Sequence, residues 1–199
     1  MSILVYIEHA EGKVKKTSLE AVSFANALAA QTGEGEVVAV ALGTVDQAEL
    51  ASVGKAGAAK VLHGADARLD AGVIQAHASA VAQAFQKVGA KTLVLAKSSL
   101  GDAVAARLAI KLQAGLVSNV VELPNTSGGY TVKRSIYTGK AFAETTVTTE
   151  NKILAIKKNA IDLKTDGADA LVENFDVQLS DADFAGKITA TERATGEIL

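Results

Sequence analysis

Cysteine and tryptophan are absent from this chain, and proline occurs once, at Pro124. Without cysteine there are no disulfides and no thiolate metal sites. Aromatic residues make up 4% of the chain against 49% hydrophobic, so the core is built mainly of Ala, Val and Leu, which suits close packing of helices on a sheet. An excess of one charge is missing too. The formal net charge is −2 with the basic residues scattered, which argues against a nucleic-acid footprint. The opening MSILVYIEHAEG has no basic segment and no long apolar span, so neither a signal peptide nor a membrane segment is expected there. What remains is a soluble protein that stays where it is made, its 199 residues sufficient for one large domain or a domain with an appendage.

What the chain does carry is a set of strand, turn and helix signals centred on Thr92 to Leu112, TLVLAKSSLGDAVAARLAIKL. Leu93-Val94-Leu95-Ala96 reads as a buried strand and Lys97-Ser98-Ser99 as a polar turn. Leu100, Val104, Leu108 and Leu112 form one stripe of the helix that follows. A four-residue step keeps those side chains on one side of the helix, so that side can lie on a sheet. Ser99 and Asp102 have the spacing of a capping box, and Asp102 suits the positive first turn. Strand–turn–helix units of this kind build parallel α/β sheets, whose turns are where ligands are held.

The chain before this stretch has the same grammar. Ser2 to Glu8 is a strand rich in β-branched residues, and Thr17 with Glu20 opens a helix that stops at Gly33. EVVAVAL, Glu36 to Leu42, is too apolar for a strand with one wet face and reads as a central parallel strand. Thr44 with Gln47 caps a short helix ended by Gly54, Lys60 to His63 is a brief strand, and Asp70 caps a helix to Val88. This alternation predicts an α/β fold: a mostly parallel sheet flanked by helices, with right-handed crossovers that place them on both faces. From about residue 116 the alternation ends. Leu116 to Leu123, Tyr130 to Tyr137, Lys140 to Thr149 and Lys152 to Lys157 follow one another with short turns, which predicts an added antiparallel β section at the sheet's edge or folded over it. Residues 1–161 thus form the α/β domain. Residues 162–199 read as an extended C-terminal tail in which Val172 to Leu179 and Lys187 to Thr191 are the candidate strands.

No constellation of catalytic residues emerges. His9, His63 and His77 are far apart and lack metal-ligand spacing. His77 falls on the apolar side of its helix as a structural histidine, whereas His9 ends the first strand, where a ligand contact could form. There is no G-x-S-x-G elbow, and Gly139-Lys140 has neither the upstream glycine nor the strand-to-helix context of a phosphate loop. Gly54 and Gly57 precede a strand, the wrong side for cradling phosphate, and read as a structural turn. The turn Ser98 to Asp102 offers hydroxyls and free N–H groups to an anion; the charge of Asp102 favours an ordinary capped turn instead. Arg107 and Lys111 form a positive strip beside the leucine stripe, either a solvated face or a docking face. Arg134, Tyr137 and Lys140, around the turn Thr138-Gly139, pose the same choice.

Several of these runs together resemble the electron transfer flavoprotein α subunit. Ser98-Ser99-Leu100-Gly101-Asp102, continuing through Arg107-Leu108 and Lys111-Leu112 to Gly115-Leu116, is similar to a strand-to-helix segment of that family. Arg134-Ser135-Ile136-Tyr137-Thr138-Gly139-Lys140-Ala141 resembles its hairpin, Gly57 to Leu62 its strand lead-in, and Ile3 to His9 its opening strand. The basic residue usual between the glycine and aspartate is absent here, and Ala106 and Ser135 stand where the family has proline.

The resemblance implies the N-terminal domain of the α subunit, with an adenine nucleotide α-hydrolase-like fold. It implies a scaffold and heterodimerisation role with the β subunit as partner, and AMP bound to that subunit. FAD is expected on a second α domain whose motifs would begin around Glu197-Ile198-Leu199, with none bound by residues 1–199. The complete complex would carry electrons from flavin dehydrogenases, including those of fatty acid β-oxidation, to a membrane quinone oxidoreductase. This domain alone would not be an enzyme. Ser98, Ser99, Asp102, Arg107, Arg134, Tyr137 and Lys140 are the candidate partner contacts or remnants of a ligand turn. Self-association of the isolated chain is a further expectation, as is a location in the cytoplasm of a bacterium or the mitochondrial matrix of a eukaryote. The rival expectation is a stand-alone adenine-nucleotide-binding module of the universal-stress-like class, using the turn at 97–102.

Overall fold

The computed structural model describes residues 2–190. In chain order the elements are β1 (Ile3–Ile7), β2 (His9–Ala10), β3 (Lys13–Val14), α1 (Lys16–Thr32), β4 (Val37–Leu42), α2 (Gln47–Ser52), β5 (Lys60–Gly64), α3 (Ile74–Lys87), β6 (Thr92–Ala96), α4 (Ser99–Lys111), β7 (Gly115–Val120), β8 (Thr131–Ile136), β9 (Ala141–Thr146), β10 (Lys152–Ile156) and β11 (Leu171–Asn174). Among the described residues nine strands form one sheet in the order β11-β5-β4-β1-β6-β10-β7-β8-β9. It is parallel except for β8, which is antiparallel to both β7 and β9. β2 and β3 form a separate two-stranded antiparallel ribbon.

β1 shows how the sequence builds the two core layers. Successive strand side chains point to opposite faces. Ile3, Val5 and Ile7 pack with Phe24 and Leu28 of α1, while Leu4 and Tyr6 pack with Val81 and Phe85 of α3 and Val104 and Leu108 of α4. Burying each large aliphatic or aromatic side chain contributes about 1.5–3 kcal/mol. The stripe read on α4 is the buried one: Val104 and Leu108 are fully covered and Leu112 nearly so.

The strand at Lys152–Ile156 corrects the expected arrangement. It does not belong to the antiparallel section but lies inside the sheet, parallel to β6 on one side and β7 on the other. Its run Ile153-Leu154-Ala155-Ile156 is buried throughout, the pattern of a strand covered on both faces. Only β8 and β9 remain as the antiparallel edge.

Helix starts also differ. α4 is capped by Ser98, whose hydroxyl accepts from Gly101 N at 2.8 Å, and not by a Ser99–Asp102 pair. α1 starts after Lys15 with no side-chain cap: Thr17 already lies inside the helix, and the Glu20 carboxylate, expected to complete a capping box with it, accepts from Asn159 N at 2.9 Å instead. α2 follows Asp46 with no side-chain cap, so Thr44 does not cap it. Asp70 lies in a 3-10 turn, Ala67–Ala71, ahead of α3, and its carboxylate accepts from Thr44 N at 2.6 Å and Thr44 Oγ1 at 2.8 Å. Thr44 and Asp70 are taken up by each other instead of by the helices they precede.

The tail is extended but closely held. Two buried polar residues of α1 receive the chain as it leaves β10 and enters the tail: Glu20 accepts from Asn159 N at 2.9 Å, and Ser23 from Lys164 N at 3.0 Å. Gly54 touches the backbone of Ala168 to Ala170, leaving no room for a Cβ. β11 then pairs in parallel with β5, and Phe175 is buried beyond it. The chain continues along α3, where Gln178 N donates to Gln83 at 2.9 Å and Ser79 donates to Asp183 at 2.6 Å. Residues 187–190 are not a strand, and Thr191 lies outside the described residues.

Candidate functional site

From β1 the chain moves outward to β4 and β5, then returns to the other side of β1 as β6. The crossovers on the two sides therefore lie on opposite faces, and a crevice opens at the strands' carboxyl ends between β1 and β6. A cavity of about 490 Å³ occupies it, bordered by Tyr6, Glu8, His9, Asp70, His77, Ser98 and Ser99 among others.

Glu8, Lys15, Asp70, His77 and Ser98 of this crevice are already paired within the chain. Glu8, the last residue of an otherwise apolar run, is buried. Its carboxylate accepts from the Ser98 hydroxyl and from Lys15 Nζ, the latter at 2.6 Å. Gly101 lets the first turn of α4 close onto β6, since a Cβ there would lie 2.5 Å from the Ala96 carbonyl. Asp102 pairs with Lys97 at 2.8 Å.

His77 receives the Tyr6 hydroxyl at Nδ1 (2.7 Å) and faces the Leu69 carbonyl through Nε2 (2.8 Å). The carbonyl can only accept, so Nε2 carries the proton and Nδ1 is the acceptor. Burial holds the His77 pKa below the ordinary histidine value and pushes that of Tyr6 up, so both stay neutral. His9 likewise faces the Leu42 carbonyl through Nε2 at 2.8 Å.

This arrangement does not fit a phosphate-bearing cofactor. The free N–H groups and hydroxyl at the start of α4 would attract an anion, but the chain places its own Glu8 carboxylate there, with Asp70 on the rim. Among the described residues no cluster of His, Asp and Glu could hold a metal ion, and no helix is long and apolar enough to cross a membrane.

The candidate residues fall into three places. Ser98 and Ser99 line the crevice, with Asp102 next to them in the first turn of α4. Arg107 lies roughly 12 Å further along α4, exposed with Lys111 and with Ile110, which is 83% exposed. Arg134, Tyr137 and Lys140 surround the β8–β9 turn, where Tyr137 is 76% exposed. Tyr6, Glu8, Lys15, Asp70 and Thr44 were not singled out as site residues from the sequence. A glutamate closing an apolar strand is the one signal that marked Glu8.

Comparison with known proteins agrees with this architecture. The electron transfer flavoprotein domain model matches residues 3–180. The electron transfer flavoprotein subunit alpha of Bacillus subtilis is 27% identical over 182 residues, covering 90% of this chain and 55% of that protein. The subunit of that name from Syntrophomonas wolfei is 30% identical over 173 residues, 85% of this chain and 52% of that protein. The one from Mycobacterium tuberculosis H37Rv is 29% identical over 162 residues, 80% of this chain and 48% of that protein. The chain spans about half the length of the curated relatives it matches.

Proposed function

The chain belongs to the electron transfer flavoprotein domain family, and on that premise we propose that residues 1–199 form the scaffold and heterodimerisation domain of an α subunit. In this reading the domain pairs with a β subunit that holds AMP. It supports a further α domain that holds FAD, placing the flavin where flavin dehydrogenases and a membrane quinone oxidoreductase can reach it. The whole complex carries electrons, and this domain contributes position and no catalysis. Residues 162–199 lead towards the FAD domain, and the complex works in the cytoplasm or the mitochondrial matrix.

The observation that carries this reading is the Glu8 carboxylate in the crevice. A domain that bound its own nucleotide there would leave the α4 amino terminus open to phosphate, whereas here Ser98 and Lys15 are both committed to Glu8. The exposed strip Arg107, Ile110 and Lys111 and the β8–β9 turn are then available for subunit contacts.

A calorimetric titration of the chain with FAD, AMP, ATP and a purified β subunit tests this. The expected result is heat only with the β subunit, weakened by Arg107→Glu if the α4 strip is part of the contact. Saturable AMP or ATP binding would favour the nucleotide-module alternative, for which the 490 Å³ crevice is the available space. Stoichiometric FAD binding would place the flavin site within residues 1–199 and overturn the scaffold reading.

A further inference from the structure

A second pocket, of about 370 Å³, lies between the end of β7 and the β8–β9 turn. Its lining includes Arg134 and Lys157 and no carboxylate. The Nε–H of Arg134 is shielded from solvent and has no acceptor. Among the described residues neither Arg134, Lys157 nor Lys140 takes part in an ion pair. A desolvated guanidinium donor without a partner is uncommon in folded chains, because its lost hydration is not replaced.

The walls of this pocket are shaped by backbone that side chains seldom adopt. Asn119 has φ 59° at the bulge where β7 shifts register against β10. Tyr137 and Thr138 follow β8 with φ 48° and 54°. Consecutive left-handed residues that are not glycine persist where the surrounding structure holds them. Here they turn the Tyr137 ring outward and bring Gly139 beneath Lys157, whose Nζ would lie 3.6 Å from a Cβ at that glycine.

We propose that this pocket receives a carboxylate side chain presented by the second subunit. The guanidinium fork matches a carboxylate in shape and charge, and the pocket contains no anion of its own. An exposed tyrosine beside an arginine, as at Tyr137 and Arg134, combines two residue types enriched at protein-contact hot spots. Small-molecule sites enclose their ligand in mostly apolar walls, and this open, polar pocket does not. The inference rests on the pairing reading above and adds the chemistry of one contact to it.

Titration of the chain against the purified β subunit at low and moderate salt tests it, with Arg134→Gln, Arg134→Lys and Lys157→Gln compared to the unsubstituted chain. Arg134→Gln is expected to weaken binding by about tenfold or more and to reduce its salt sensitivity. Arg134→Lys should recover part of the loss, since it keeps the charge without the fork. Thermal unfolding of each variant separates misfolding from lost contact, and the surface variant Lys157→Gln gives an independent reading. Unchanged affinity in Arg134→Gln and Lys157→Gln overturns this inference alone. Failure of the unsubstituted chain to bind overturns the pairing reading and this inference with it. Arg134-dependent binding of inorganic phosphate, with subunit affinity unchanged, would reassign the pocket to a small anion and overturn the carboxylate contact.

Discussion

The Ser98 hydroxyl donates to the Glu8 carboxylate across ninety residues of sequence while accepting the Gly101 amide, so one side chain joins the end of β1 to the start of α4. Glu8 is simultaneously held by Lys15. Replacing Glu8 with Ala leaves a half-buried hydroxyl and an ammonium without their acceptor. A loss of about 1–3 kcal/mol is expected, read as a lower urea midpoint with an unchanged denaturant slope.

Gly101→Ala tests how tightly that corner is packed. The added Cβ would lie 2.5 Å from the Ala96 carbonyl, and neither backbone segment can yield without moving β6 or α4. Overpacking of this kind costs about 1–3 kcal/mol. Equal stability of the variant and the unsubstituted chain would show that the corner relaxes freely.

The buried pair Tyr6 and His77 makes stability depend on pH. Burial, the largest influence, and the neighbouring His9 lower the His77 pKa from its ordinary 6.5; the Leu69 carbonyl, Glu8 and Asp70 oppose them. The folded chain therefore keeps His77 neutral at pH values where the unfolded chain takes up a proton. That contribution is complete above 6.5 and declines as the pH falls from there towards the lowered folded value. Glu34, whose pKa is raised by burial, works in the opposite direction. The urea midpoint at about pH 7 is expected to exceed that at about pH 5.5, with a smaller difference in His77→Gln. An equal difference in the variant would assign the dependence to other groups.

Asp183 gathers Ser79, Ser180 N and the Ser180 hydroxyl, which fixes the tail on α3. The Ser79 hydrogen bond is the largest influence holding its pKa below the usual carboxylate value. Asp183→Ala should release this segment locally, with faster proteolysis around residues 178–186 and a thermal midpoint almost unchanged. Protection equal to that of the unsubstituted chain would mean that Gln83 and Phe184 suffice to hold it.

Legibility followed the range of the interactions. The strands and helices up to residue 112 could be read because their periodicity is local: the stripe Leu100, Val104, Leu108 and Leu112 repeats on one side of one helix. The helix caps are less legible, because Glu20, Asp70 and Thr44 bond partners elsewhere in the chain that no neighbouring residue specifies. β10 was assigned to the wrong neighbours because consecutive order suggested pairing with β9. Its uninterrupted apolar run carried the same signal of a doubly covered strand that identified β4 correctly. Arg134, Tyr137 and Lys140 are legible as a cluster around a turn, whereas the pocket that Arg134 and Tyr137 border depends on Asn119 and Lys157, which reach it only through the sheet.

The position of β10 also sets the order in which the molecule can be completed. β6 has its second neighbour only after residues 113–151 have been made and set aside as β7 and the β8–β9 hairpin. Until Lys152–Ile156 arrive, a nascent chain presents an unpaired hydrophobic edge at Thr92–Ala96, the kind of surface that pairs with other chains. β11 must then travel back to the opposite margin of the sheet and close it beside β5. Completion of the sheet by late, distant segments makes its pairing strongly non-local, the kind of topology that folds slowly.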